Sequence, residues 1–231
     1  LDWWDYAKAY LRGRWSFESP SIRLGYQLMR DLGQYQKPGY MSLTDSDALF
    51  QFMQGQSVML TAATWDAASM KSQASFPIGA FPIPVPSPTD PVYGRYVLGP
   101  VSEAGIGTGL VMGVVARSPH LAIALDFLRF LSSKPADEQF AQITGWLPAI
   151  DGAGVPASAE AYKPVVLGYP GRFLAEMNGL GGARYMFNTN LYLIFSHDGG
   201  AAAFCRRMAQ LYGPDMAVDL AQHVRDVLQN V

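Results

Sequence analysis

A short apolar run sets the strongest limit on the fold. Residues 57–65, SVMLTAATW, are β-prone and place apolar groups at successive rather than alternate positions. A strand with one wet face alternates apolar and polar side chains. One that is apolar on both faces has to be covered from two sides, as in the sheets of α/β proteins. The run ends at Trp65-Asp66, directly before a helix-forming stretch. In open α/β sheets the ligand crevice lies outside the carboxyl ends of the strands, so this pair stands where a ligand would be met.

The flanking sequence supplies helices. Ser19 and Pro20 suit an N-cap and first helical residue, and Ile22, Tyr26 and Met29 follow at helical spacing, predicting a helix from Pro20 to Leu32 closed by Gly33. In TDSDALFQFMQG either Thr44 or Asp45 can cap a short, half-buried helix that ends at Gly55. A second strand is expected from Phe76 in FPIGAFPIP, before the proline-dense loop VPSPTDP. GIGTGLVMGVVARSPH reads as a glycine-rich turn, an apolar strand and a helix start at Ser118-Pro119.

The helix PHLAIALDFLRFLSS is apolar on most of its circumference and is expected to pack on two sides. KPADEQFAQITG has a proline and acids in its first turn and Gly145 at its C′ position, the marks of another helix. The loop WLPAIDGAGVPAS follows. Two further helices are expected, from about Leu191 to Leu211 with an interruption near Gly199-Gly200, and from Pro214 to Leu228 with Leu220, Val224, Val227 and Leu228 as its apolar stripe. Few strands serve these many helices, so the expectation is a portion of a larger protein.

Composition narrows the function. Seventeen Lys and Arg against nineteen Asp and Glu give a net charge of -2 with no long block of either sign. That removes the electrostatic footprint of a nucleic-acid binder. No apolar run is long enough to span a membrane, and the first residues carry neither a basic n-region nor an apolar h-region, so a signal peptide is absent or already removed. Cys205 is the single cysteine, unable to form an internal disulfide and read as a small buried hydrophobe; no metal and no cofactor is expected. Aromatics make up 13% of the chain, enough to furnish a core and still leave rings for a pocket.

The order of these elements resembles an established family. A helix ending in F-x-x-G-Q at Phe52 and Gly55 leads to the strand with Met59 and the turn at Trp65. Then come FPIPVP with Pro82 and Pro84, the crossing into Ser118, Ala124, Phe127, Leu128, Leu131 and Ser133, and the loop Gly145-Trp146-Leu147-Pro148. Together they are similar to the C-terminal half of the extracellular solute-binding proteins, family 1, of ABC importers, the maltose-binding and glycerol-phosphate-binding type. The resemblance implies an α/β, periplasmic-binding-protein-like (type II) two-lobe fold of which only the C-terminal portion is present. Residues 1–100 would belong to lobe II, 101–150 would be an excursion returning to lobe I as a strand and two helices, and 151–231 would be the C-terminal helical part of lobe II. The crossings would be GPVSEAG and AIDGAGVPA, whose small residues suit hinges.

The implied function is capture of a sugar, oligosaccharide or polyol between the lobes and delivery to the membrane subunits of an ABC permease. It would be performed without catalysis by a monomer in the periplasm or lipid-anchored outside the cell. A glycan-active hydrolase or transferase on a similar lobe, or a sensor lobe without a ligand, are the alternatives.

Candidate ligand contacts follow. Trp65 has an indole face to stack on a sugar ring and Asp66 a carboxylate for two hydroxyls, or else Trp65 is core and Asp66 caps the next helix. The backbone at Gly107, Thr108 and Gly109 would approach a ligand closely at the crossing, or form a plain turn. Trp146 corresponds to the aromatic that the family's TG-aromatic-LP loop brings to the cleft, or else covers a helix end. Tyr185 and Asn188, with Asn190 and Tyr192, offer polar tips for a pocket, or pack in the core or on the surface. His120, His197 and His223 fall in no catalytic order, and His197-Asp198 reads as a solvated turn.

Overall fold

In a computed structural model, which describes residues 3–102, 112–170 and 182–229, the chain divides into two units. The first comprises Leu1–Ser42, Pro86–Gly99 and Gly171–Val231, and the second Leu43–Val85 and Pro100–Pro170.

The first unit is helical and is organised by aromatic rings. Helix α1 (Trp3–Leu11) and α2 (Pro20–Gly33) are joined by a turn that drives Phe17 inward until it is only 2% exposed. Around it lie the rings of Tyr10, Trp15, Tyr26, Phe187, Phe204 and Tyr212, with centroids between 5.0 Å (Tyr212) and 6.4 Å (Tyr26 and Phe187) away. Most of these pairs meet edge to face or tilted, the arrangement favoured by the ring quadrupole.

Segment 86–99 is attached to α2 through Tyr93, whose hydroxyl donates to the Asp31 carboxylate. Holding that proton in place pushes the Tyr93 pKa up to about 12.

Further along the chain lie the second unit's α3 (Asp45–Met53), α4 (Ala67–Gln73), α5 (Leu121–Leu131) and α6 (Lys134–Thr144). The first unit resumes with α7 (Gly182–Asn190), α8 (Tyr192–Phe195) and α9 (Ala201–Gln229). Helices α1, α2, α7 and α8 all pack on α9. The reason is a buried stripe on α9 at helical spacing: Ala201, Phe204, Cys205, Met208, Tyr212 and Met216. Helix ends that the stripe brings inward are closed by side chains from other elements. The Asp219 carboxylate accepts the N–H groups of Gly182 (3.3 Å) and Ala183 (3.2 Å) at the start of α7. The Arg30 guanidinium donates to the carbonyls of Ile194 (2.7 Å) and Ser196 (3.3 Å) at the end of α8.

The second unit is built from shorter pieces. Helix α3 begins at Thr44, whose Oγ1 accepts the Asp47 N–H at 3.2 Å while Asp47 Oδ2 accepts the Thr44 N–H at 2.9 Å, a reciprocal capping box. Its buried Phe52 meets Phe76 edge to face at 5.6 Å. Helix α5 packs on α6. A two-residue parallel ladder joins β1 (Val101–Ser102) to β2 (Tyr169–Pro170). Gly168, at φ +139°, brings its Cα against the Pro100 carbonyl beside that ladder, a conformation and a spacing that only glycine tolerates.

Several expectations meet a different local outcome. Residues 57–63 form no strand ladder in the described structure, and Val58 is 94% exposed. The expected cover on both faces is absent among the described residues, because an apolar pattern favours burial but does not itself supply the neighbouring elements that would bury it. FPIGAFPIP likewise forms no ladder in the described structure, and Pro77, Pro82 and Pro84 have removed three of its donors. The expected strand after the glycine-rich turn shows no ladder over residues 112–115.

Helix α5, expected to be covered on two sides, has no buried residue. A helix apolar around most of its circumference has more apolar surface than one neighbouring helix can cover. Finally, Gly200 (φ +112°) interrupts the helical region as expected, but the break at Pro214 is absent: α9 runs through it. Interior proline costs a helix roughly 3 kcal/mol. Buried Tyr212 and Met216 on either side hold this helix together, and Gly213 leaves room for the Tyr10 ring. Cys205 is buried, and burial pushes its thiol pKa up to about 11, the inert hydrophobe expected of it.

Two substitutions test the ring cluster by denaturant unfolding. Phe17→Ala should destabilise by about 3–5 kcal/mol, because six neighbouring rings lose a shared partner. Tyr26 is buried with its hydroxyl unpartnered among the described residues, and a buried, unsatisfied hydroxyl costs about 1–3 kcal/mol. Tyr26→Phe should therefore unfold at an equal or higher denaturant midpoint; a clear loss of stability would show that the hydroxyl has a partner.

Candidate functional site

The chain reaches Trp65 through a 3-10 turn rather than a strand end. Thr64–Asp66 form that turn, and Asp66 closes it twice, its N–H donating to the Ala63 carbonyl at 3.0 Å and its Oδ2 accepting the Ala63 N–H at 3.3 Å. Asp66 thus closes the 3-10 turn; it occupies the N-cap position of α4, but its side chain makes no capping hydrogen bond to that helix, so the capping role offered by the sequence is met in position only. Helix α4 then turns Ala67 and Met70 into the unit's core. Trp65 points away from that core and is 59% exposed. It is not a core residue.

Trp146 arrives at the end of α6. The helix closes when Gly145, at φ +70°, donates its N–H to Ala141 O at 2.8 Å. Thr144 Oγ1 donates to Phe140 O (2.8 Å) and accepts the Trp146 N–H (3.2 Å), which fixes the direction of the next residue. One side of the indole packs edge to face on Phe140, with centroids 5.7 Å apart. Trp146 therefore does cover a helix end, yet it remains 39% exposed.

These two places are joined. A Cβ placed on Gly145 would come within 2.8 Å of the Ala68 Cβ, so the end of α6 lies directly against the first turn of α4. One indole is three residues before that contact and the other is one residue after it. The chain beyond Trp146 returns to the same helix, where Lys71 Nζ donates to Ser158 O at 2.6 Å and lies 5.3 Å from the centre of the Tyr162 ring. Lys71, Ser158 and Tyr162 carry no sequence signal of their own; only the fold assembles them.

Gly107, Thr108 and Gly109 lie outside the described residues. Tyr185 and Asn188 are exposed on α7, in the first unit, and Asn190 donates to its own helix at Met186 O, 2.7 Å away. Tyr192 is exposed in α8 of the same unit.

Chemically, the second unit offers two indole faces, a carboxylate and a lysine that is already engaged. Among the described residues no group of His, Cys, Asp or Glu is arranged to hold a metal ion, and no helix is long and apolar enough to cross a membrane. His197 Nδ1 and Asp198 Oδ1 are 2.9 Å apart in a fully solvated turn.

Comparison with known proteins places these residues in context. The model of a family described as bacterial extracellular solute-binding protein matches residues 8–164, a span that contains Trp65, Asp66, Trp146 and the Gly145–Ala68 contact. No curated protein and no solved structure matches the chain.

Gly145 is the most exacting position of this site. Gly145→Ala would place a side chain in the left-handed region and push it into Ala68, and the strained backbone alone should cost about 1–3 kcal/mol. Urea unfolding should register that loss together with a change in the emission of Trp146; wild-type stability in the variant would show that α6 does not end against α4.

Proposed function

This chain belongs to the bacterial extracellular solute-binding protein family, and we propose that within it the protein is the substrate-binding component of an ABC importer that captures a sugar, oligosaccharide or polyol. The observation that carries this reading is that two exposed indoles of one unit, Trp65 and Trp146, flank in sequence the place where Gly145 approaches Ala68. Indole faces stack on the apolar C–H faces of a sugar ring, and Asp66 beside them presents a carboxylate to hydroxyl groups.

In this reading the complete binding protein has two α/β lobes and a ligand trapped between them. It works in the periplasm or lipid-anchored outside the cell, and it performs no chemistry. Ligand binding shifts the open and closed populations by as much as the ligand's affinity differs between them, and the permease distinguishes the closed shape. The family description supports an extracellular binding role; the aromatic pair supports carbohydrate as the class of solute.

A thermal-shift screen against sugars, oligosaccharides, polyols, amino acids and dipeptides tests this, followed by calorimetry on the compounds that stabilise. A carbohydrate or polyol is expected to bind at about micromolar affinity, and Trp65→Ala to weaken it at least tenfold, about 1.4 kcal/mol. Stabilisation by amino acids or dipeptides alone would overturn the ligand class, and turnover of a glycan would overturn the binding-protein reading.

A further inference from the structure

Residues 145–162 leave α6 and return to α4 as a strap, tied at intervals to both helices. It starts with Gly145 against Ala68. Its Ile150 N–H donates to Asp137 Oδ2 at 2.9 Å and its Gly154 N–H to Glu138 Oε1 at 2.8 Å, adjacent carboxylates near the start of α6. Near its far end Lys71 donates to Ser158 O and lies beside the Tyr162 ring, next to the buried Ala159. The acids of α6 are thus engaged in holding the strap as well as facing the helix dipole. The glycine-rich segment that reads as a hinge in sequence is a pinned element.

We infer that Lys71 is a positioning residue for the Trp65 and Trp146 platform: by closing the strap onto α4 it fixes the loop that carries Trp146. This rests on the proposed reading of those indoles as the ligand surface, but its physical content does not. Lysine suits the place because its long apolar stem can lie along α4 while the ammonium reaches both a carbonyl and a ring face. An arginine can make the same two contacts, and a methionine only the apolar one.

The test uses the whole chain without ligand. Amide hydrogen exchange of residues 146–162 and the indole N–H resonance of Trp146, assigned by its loss in Trp146→Phe, are compared among wild type, Lys71→Met and Lys71→Arg. Lys71→Met is expected to speed exchange in the strap by about two- to fivefold, the range for one exposed charged contact. It should also move the Trp146 resonance, while exchange in α9 stays unchanged; Lys71→Arg should restore both. Unchanged exchange and an unmoved resonance in Lys71→Met would overturn the inference, as would a shift that Lys71→Arg fails to reverse. Should wild-type protein bind no carbohydrate, the proposed function fails while these readouts still decide the role of Lys71.

Discussion

The absence of one side chain, at Gly145, sets the geometry of the second unit. A left-handed residue is needed to end α6, and a residue without Cβ is needed for Ala68 to come alongside. Both demands fall on the same position. Once Gly145 turns the chain, Thr144 directs the Trp146 backbone, Phe140 supports one edge of the indole, and the first turn of α4 is brought next to it. Trp65 is exposed in the turn before α4, which Asp66 closes through one carboxylate oxygen.

The two units are held together internally by different physics. In the first, a buried Phe17 draws rings from α1, α2, α7 and α9 into one cluster, and the buried stripe of α9 supplies the surface on which the other helices lie. Burial dominates there, and the polar contacts of Arg30 and Asp219 finish helix ends that burial has already positioned. In the second unit few large side chains are buried, and loops are fixed by single charged contacts to backbone: Asp137 and Glu138 to the strap, Lys71 to its far end. Such contacts are individually weak when exposed. Three of them spaced along one strap, with the Lys71 ammonium also beside the Tyr162 ring, can still define its path.

What the sequence made legible was mostly local chemistry. Pro20 starts α2 and Gly145 ends α6 because their own backbone preferences dictate it, Thr44 caps α3 through a residue three positions on, and Cys205 is buried for want of any other role. Trp65 was a site candidate from its place at an expected strand end and Trp146 from the resemblance of its loop, and the structure leaves both indoles exposed. Harder to read was anything decided at a distance. The apolar run at 57–65 gives its hydrophobicity but no strand partner; it forms no ladder and ends in a 3-10 turn. Pro214 should end a helix, but buried neighbours on both sides carry α9 through it. Lys71 looks like any exposed lysine, and its part in the strap depends on Ser158 and Tyr162, which lie 87 and 91 residues further along the chain.

The central claim is that Trp65 and Trp146 form a single ligand surface. Titrating isotopically labelled protein with the carbohydrate that stabilises it most, while following both indole N–H resonances, tests that directly. The two resonances are expected to move together and to fit one dissociation constant. Movement of one indole while the other stays still at saturation would contradict a shared platform.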